Sequence, residues 1–299
     1  MIAYLFIGQG VELPWVADDV LADPDVIALV TIASEATGCD IARLLVRGGR
    51  ELSRSEILQP AMVAVCLGVE RMLARAGVAP AIVLGHSLGE ITAWAASGAI
   101  TAEDAVTVAV IRGRLMAREA ARHPGGMLRL TGDRETCERA IALGRQLGSI
   151  CIGAHNGVDE WGLAGDEAAL AHVLPQFRTL RLPVAGAWHS PAMAGALDEM
   201  TAAITALPRR PMTVRMISNR DGRFAADADL PALLAGQLVH PVQWVASLET
   251  LVAAGVRRYV AVGPGKMLRS LVHRNLGVEQ HVDIIDSARA VRDFAAACV

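Results

Sequence analysis

The chain has 299 residues, 53% of them apolar, and a formal net charge of −3. That composition suits one large buried core or two smaller ones, and it shows no basic excess of the kind that nucleic-acid binding uses. Cys39, Cys66, Cys137, Cys151 and Cys298 form no C-x-x-C pair, which argues against a disulfide framework or a zinc site and fits a reducing cytoplasm. Lys266 is the only lysine, so Schiff-base chemistry has one candidate. The opening residues lack the basic and apolar regions of a signal peptide, and no run of 18 apolar residues predicts a membrane span.

In chain order, Ile2 to Ile7 reads as a buried strand ending in a Gly8-Gln9-Gly10 turn. Pro60 to Ala76 reads as a helix, Ala81 to Leu84 as a strand, Leu88 to Ala96 as an apolar helix and Ala102 to Arg122 as a long amphipathic one. Pro124-Gly125-Gly126 breaks this pattern. Beyond it come strand (Met127 to Leu130), helix (Arg134 to Leu147) and two strands (Ile150 to Ala154, Trp161 to Leu163). A helix (Ala168 to Gln176) and a strand (Thr179 to Val184) complete that run. The order β-α-β-β-α-β predicts a small ferredoxin-like domain, residues 125–186, inserted in a larger α/β domain of residues 1–124 and 187–299. Helix then follows over Pro191 to Ala206, with strands near Val214 to Ser218 and Tyr259 to Val262.

Gly85-His86-Ser87-Leu88-Gly89 fits G-x-S-x-G between a strand and a helix. At such a corner a serine stands clear of the sheet, and the glycines allow the tight crossing. The Leu88 amide, at the helix start, could stabilise an oxyanion. A plain capping serine is the bland reading. Histidine is the base suited to neutral pH, and there are eight. His86 adjoins Ser87 but should diverge from it at a tight turn. His189 lies where the inserted unit rejoins the larger domain, a favoured place for active sites.

On the helix Ala102 to Arg122, Arg114, Arg118 and Arg122 share one stripe at about 100° per residue, a solvated face by this reading. Arg112 points the other way, among Ala105, Val108, Leu115 and Met116. An arginine there needs an anion, either an internal carboxylate or that of a substrate. Gly263-Pro264-Gly265-Lys266 reads as a structural turn, with a phosphate cradle as the other option. Arg209, Arg210, Arg257 and Arg258 are candidates for docking an acidic partner.

Several stretches together resemble the malonyl-CoA:acyl-carrier-protein transacylases and the acyltransferase domains of polyketide synthases. They are Gly8-Gln9-Gly10, Gln59-Pro60-Ala61, Gly85 to Glu90, Arg112-Gly113-Arg114, Trp188-His189, His240 to Trp244 and Val262 to Lys266. The resemblance runs nearly end to end and implies an α/β-hydrolase-like large domain with an inserted ferredoxin-like small domain. It implies Ser87 as nucleophile, His189 as base and the Gln243 carbonyl as the group orienting the imidazole. The amides of Gln9 and Leu88 would form the oxyanion hole, and Arg112 would bind a malonyl carboxylate. Gln59, Asn156 and Trp188 would line the pocket. The partners implied are malonyl-CoA and an acyl-carrier protein, with no metal and no cofactor, CoA thioester being a substrate, and the family suggests a monomer. Two departures stand out. Ile7 precedes Gly8 where the family commonly has proline, and Val11-Glu12 replaces the usual Ser-Gln. The bulky Trp188 should crowd an α-substituent. An acyl hydrolase on the same site, a transferase with an unusual donor such as an acyl-carrier protein, and a scaffold with a dead site are the rival readings.

Overall fold

The computed structural model describes residues 1–8 and 16–298. Gln9, Val11 and Glu12 lie outside them. Eleven strands are described: β1 (Ile2–Phe6), β2 (Ile82–Gly85), β3 (Gly125–Thr131), β4 (Ile150–Gly157), β5 (Glu160–Asp166), β6 (Thr179–Arg181), β7 (Arg215–Ser218), β8 (Arg223–Phe224), β9 (Val242–Gln243), β10 (Arg258–Val262) and β11 (Val282–Ile285). They form a six-stranded sheet, β11-β10-β1-β2-β7-β8, and a five-stranded one, β6-β3-β5-β4-β9.

The first sheet is parallel except at its β7–β8 edge. Its central strands, β1 and β2, are almost wholly apolar and buried, as strands covered on both faces must be. The helix Ser55–Arg75 lies in the core beside them. It begins five residues before the expected Pro60, which sits inside the helix. It is long and apolar enough to cross a membrane, but 83% of its apolar window is buried in this fold. Helices Pro24–Thr37 and Ile41–Arg47, not expected from the sequence, cover the same side.

The second sheet contains the β-α-β-β-α-β run, with helices Arg134–Gly144 and Glu167–Val173 on one face. Along β3, Leu128 and Leu130 turn to that face and join Trp161, Leu163, Leu170 and Val173 in a separate apolar cluster. All strand pairs within the run are antiparallel. The two-residue β9 adds to it in parallel beside β4, so the second sheet takes one strand from outside that run. Pro191 to Ala206, expected as one helix, is a 3-10 turn (Pro191–Ala196) running into the helix Leu197–Thr205.

Candidate active site

β2 ends at Gly85, and the helix Gly89–Ala96 begins four residues later. Both glycines are required there. A Cβ on Gly85 would lie 1.9 Å from the Gly89 carbonyl carbon, and one on Gly89 would lie 2.1 Å from the Phe6 carbonyl oxygen. The corner holds Ser87 at φ 52°. Among the described residues only one other non-glycine has positive φ, His189 at 59°. Backbone in this region costs on the order of 1–3 kcal/mol and persists only where the surroundings over-determine it. Here the two strained residues meet: Ser87 Oγ is 2.7 Å from His189 Nε2.

The other imidazole nitrogen, Nδ1, is 2.8 Å from the backbone carbonyl of Gln237. A carbonyl accepts only, so Nδ1 carries the proton and Nε2 is left to accept from the serine hydroxyl. Sequence reasoning assigned that carbonyl to Gln243, and the structure corrects this. The Gln243 carbonyl accepts from Ser247 Oγ at 2.8 Å, and its amide donates to Asn219 at 2.6 Å. Gln243 is fixed in β9, whereas the 3-10 turn Gln237–Val239 delivers its first carbonyl to the imidazole.

Burial pushes His189 down from 6.5 to about 3, with the Arg112 charge adding to the effect and the Gln237 carbonyl opposing it. The imidazole is therefore neutral across the ordinary pH range. In the turn after Ser87, the amides of Gly89, Glu90 and Ile91 donate to the carbonyls of His86, Ser87 and Leu88. The Leu88 amide is not among those donors. The other expected amide, that of Gln9, lies outside the described residues.

Arg112 is 1% exposed. One of its terminal nitrogens donates to Gln59 Oε1 at 2.9 Å, and the other to Gln237 Oε1 at 2.8 Å and towards Ser87 Oγ at 3.4 Å. Among the described residues its Nε has no partner and no carboxylate touches the guanidinium. Burial accordingly lowers it from 12.5 to about 10, with the Glu90 charge opposing. A buried cation held by neutral amide oxygens is chemically able to take an anion.

Gln237 and Glu90 are the site residues that sequence reasoning missed. The Gln237 amide nitrogen donates to the Ser87 carbonyl at 2.9 Å and to Glu90 Oε2. Glu90 is fully buried beneath the turn and also accepts from the Asn219 amide at 2.9 Å. Burial raises it from 4.5 to about 7, against opposing hydrogen bonds from Ser218, Gln237 and Asn219. Glu90 was visible as the last residue of the GHSLGE stretch. Gln237 meets His189 through a main-chain carbonyl, which no side-chain pattern encodes.

A cavity of about 160 Å³ opens over Ser87, lined also by His86, Arg112, Met127, Asn156, Trp188 and His189. His86 does diverge from Ser87, and its Nε2 lies 2.8 Å from Asn156 Oδ1. The Trp188 ring edge lies against Gly186 and Ala120, where a Cβ on Gly186 would come 2.4 Å from it. Gln59 reaches the site through Arg112. Gly263 and Gly265, both at positive φ, make the turn that starts the helix Met267–Leu276, and Met267 and Leu271 line the cavity. The expected solvated arginine stripe is only partly so: Arg118 and Arg122 both reach the buried Glu119. Arg258, a docking candidate, is engaged by Asp283 and lies over Phe294.

The arrangement can deliver a serine alkoxide to an acyl carbon next to an anion clamp. Comparison with known proteins agrees. The model of the acyl transferase domain matches residues 4–285. The malonyl CoA-acyl carrier protein transacylase of Mycobacterium tuberculosis H37Rv is 33% identical over 285 residues, 92% of this chain and 93% of that protein. The spectinabilin polyketide synthase system protein NorB of Streptomyces orinoci is 31% identical over 290 residues, and the chain spans 13% of its length. A malonyl-transacylase solved in complex with its type II polyketide synthase acyl-carrier protein superposes with a TM-score of 0.90 at 25% identity, over 99% of both chains. The chain belongs to the acyl transferase domain family.

Proposed function

We propose that this chain moves a malonyl group from CoA to the phosphopantetheine thiol of an acyl-carrier protein, in fatty acid or polyketide biosynthesis. The observation that carries the reading is the pairing of Ser87 with neutral His189, 3.4 Å from a buried guanidinium that no carboxylate of the described residues touches. Names of relatives, among them the transacylase bound to its carrier protein, point the same way.

In the first half-reaction the Ser87 hydroxyl gives its proton to His189 Nε2 as Oγ attacks the thioester carbon. The Leu88 amide, with that of Gln9 by family resemblance, holds the oxyanion. The tetrahedral intermediate collapses, the carbon–sulfur bond breaks, and CoA leaves as a thiol with the proton from His189. In the second, the carrier thiol gives its proton to His189 and attacks the acyl-serine, and the proton returns to Ser87 Oγ. Arg112 holds the malonyl carboxylate in both halves. The scheme calls on no metal and no resident cofactor. Trp188, a bulky ring on the cavity wall, should crowd an α-methyl group, which favours malonyl over methylmalonyl. Residues 125–186 form a ferredoxin-like insertion in an α/β-hydrolase-like domain of residues 1–124 and 187–299. The protein works as a cytoplasmic monomer, without nucleic acid or membrane.

Intact-protein mass spectrometry tests the reading. Brief mixing with malonyl-CoA should add one malonyl group, absent in Ser87→Ala and discharged by a holo-acyl-carrier protein. No adduct with malonyl-CoA, or an adduct lost to water alone, would overturn it.

A further inference from the structure

The cavity over Ser87 holds a second guanidinium to which the transfer scheme gives no part. Arg129 lies on β3 between Leu128 and Leu130, both fully buried against the helices behind the sheet. Strand alternation turns Met127 and Arg129 to the opposite face, and both line the cavity with Ser87 and Arg112. Arg129 is exposed and makes no hydrogen bond or ion pair among the described residues. The acidic residues nearby are already taken: Arg274 lies 3.3 Å from Glu160, on the cavity wall, and 2.9 Å from Asp159.

The neighbours of Arg129 are equally specific. In register it faces Gly162 on β5 and Leu180 on β6, and residues so paired share a face. Gly162 has no side chain to cover the guanidinium. Leu180 is 51% exposed, and Leu182, two residues on, lines the cavity. Met127 marks the inner end of this face, because its Cε and the Trp188 carbonyl both crowd Gly153. Two residues further along β3, at about 3.4 Å each, Arg129 stands about 7 Å farther out.

We propose that Arg129 and Leu180 form a subsite for the outer part of the phosphopantetheine arm, Arg129 taking the phosphate and Leu180 the dimethyl-bearing carbon beside it. The inference rests on the transferase reading. CoA and a holo-carrier protein share this arm, so one subsite serves both half-reactions. A malonyl thioester of either kind is anionic at both ends. Arg112 holds the carboxylate and Arg129 the phosphate, which fixes how far the thioester reaches towards Ser87. The pairing of an unpaired cation with an exposed leucine matches the arm, where two methyl groups lie next to the phosphate-bearing carbon.

The test is the rate of Ser87 acylation by malonyl-CoA and by the malonyl thioester of N-acetylcysteamine, which lacks the phosphate and the dimethyl carbon, together with discharge onto a holo-acyl-carrier protein. Arg129→Gln should slow acylation by malonyl-CoA and discharge onto the carrier by about 10- to 100-fold, the size of a hydrogen-bonded charge. The loss should shrink to less than about 2-fold with the truncated thioester, and Arg129→Lys should restore most of it. A loss confined to one of CoA and carrier would keep the subsite and assign its phosphate to that source. Equal losses with malonyl-CoA and the truncated thioester, or no loss with any partner, would overturn the proposal. Failure of the unmodified protein to acylate Ser87 with either thioester would instead overturn the transferase reading, a result distinct from these.

Discussion

Arg112 carries a charge that nothing touching it among the described residues neutralises, and that charge acts on the base beside it. His189 is held at about 3 by burial first and by Arg112 second. A carboxylate bound to Arg112 cancels the second cause, so the imidazole should become more basic once substrate binds. The acid limb of kcat/KM reports the free enzyme and that of kcat the complex. The kcat/KM for acylation should therefore stay flat from pH 8 down to pH 5, while kcat turns down at a higher pH than kcat/KM does. Stopped-flow acylation across that range checks this, and a limb in kcat/KM near 6.5 would count against it. Replacing Arg112 by alanine should lower kcat/KM for malonyl-CoA by on the order of 100-fold or more, because the carboxylate is left buried and unpaired. Acetyl-CoA has no carboxylate and should lose far less, so the malonyl-to-acetyl ratio is the readout. From the sequence Arg112 could be seen to need an anion. That no carboxylate of the described residues meets it emerged only when Gln59 and Gln237, 178 positions apart by number, were found on either side of it.

At the scale of elements, the turn Gly85–Gly89 was legible because its chemistry is local: a strand, two glycines and a helix in nine residues determine it. The long helix Ala102–Arg122 was legible to the residue, with Thr101 capping it through the Asp104 amide. Helices Pro24–Thr37 and Ile41–Arg47 carried sound end signals: Asp23 and Pro24 at one start, Gly38 in the left-handed region at the end, Asp40 at the next start. They lack a narrow apolar stripe, because Pro24–Thr37 is apolar on more than one side, and periodicity therefore passed them over. The strand β9 is two residues long and exists only because β4 offers an edge, so no local pattern could announce it. The turn itself makes a sharp prediction. Gly89→Ala places a Cβ 2.1 Å from a carbonyl of β1, backbone that cannot step aside. It should cost more than the ~1–3 kcal/mol usual for overpacking, seen as a lower urea midpoint together with loss of Ser87 acylation. An unchanged midpoint would show that β1 and the helix can part at no cost.

Across the whole molecule, two buried groups at the junction of the sheets give stability opposite dependences on pH. His189 is depressed from 6.5 to about 3, so between these values the unfolded chain binds the extra proton. Its contribution is present above 6.5 and is lost as pH falls through 3. Glu90 is raised from 4.5 to about 7, chiefly by burial, so between these values the folded protein holds the extra proton. Its contribution is present below 4.5 and is lost as pH rises through 7, a raise worth up to about 3 kcal/mol. Between pH 4.5 and 6.5 the two slopes oppose each other, with His86, also lowered by burial, adding to that of His189 and Glu70, raised by burial to about 6, adding to that of Glu90. Glu90→Gln keeps a hydrogen-bonding group beneath the nucleophile turn but removes the titration. Its urea midpoint should therefore rise relative to the unmodified protein as pH goes from 5 to 8, while the acid side, where the lowered histidines His189 and His86 act, stays parallel. Parallel curves over the whole range would mean that Glu90 is not the group that weakens the fold at neutral pH. The same variant bears on the site, because Gln237 reaches Glu90 with its amide while holding Arg112 through its side-chain oxygen and His189 through its carbonyl. If Glu90 matters only to folding, acylation by Glu90→Gln at pH 5, the end of that range where the midpoints differ least, should match the unmodified protein. If it also anchors Gln237, acylation should fall there with the fold intact.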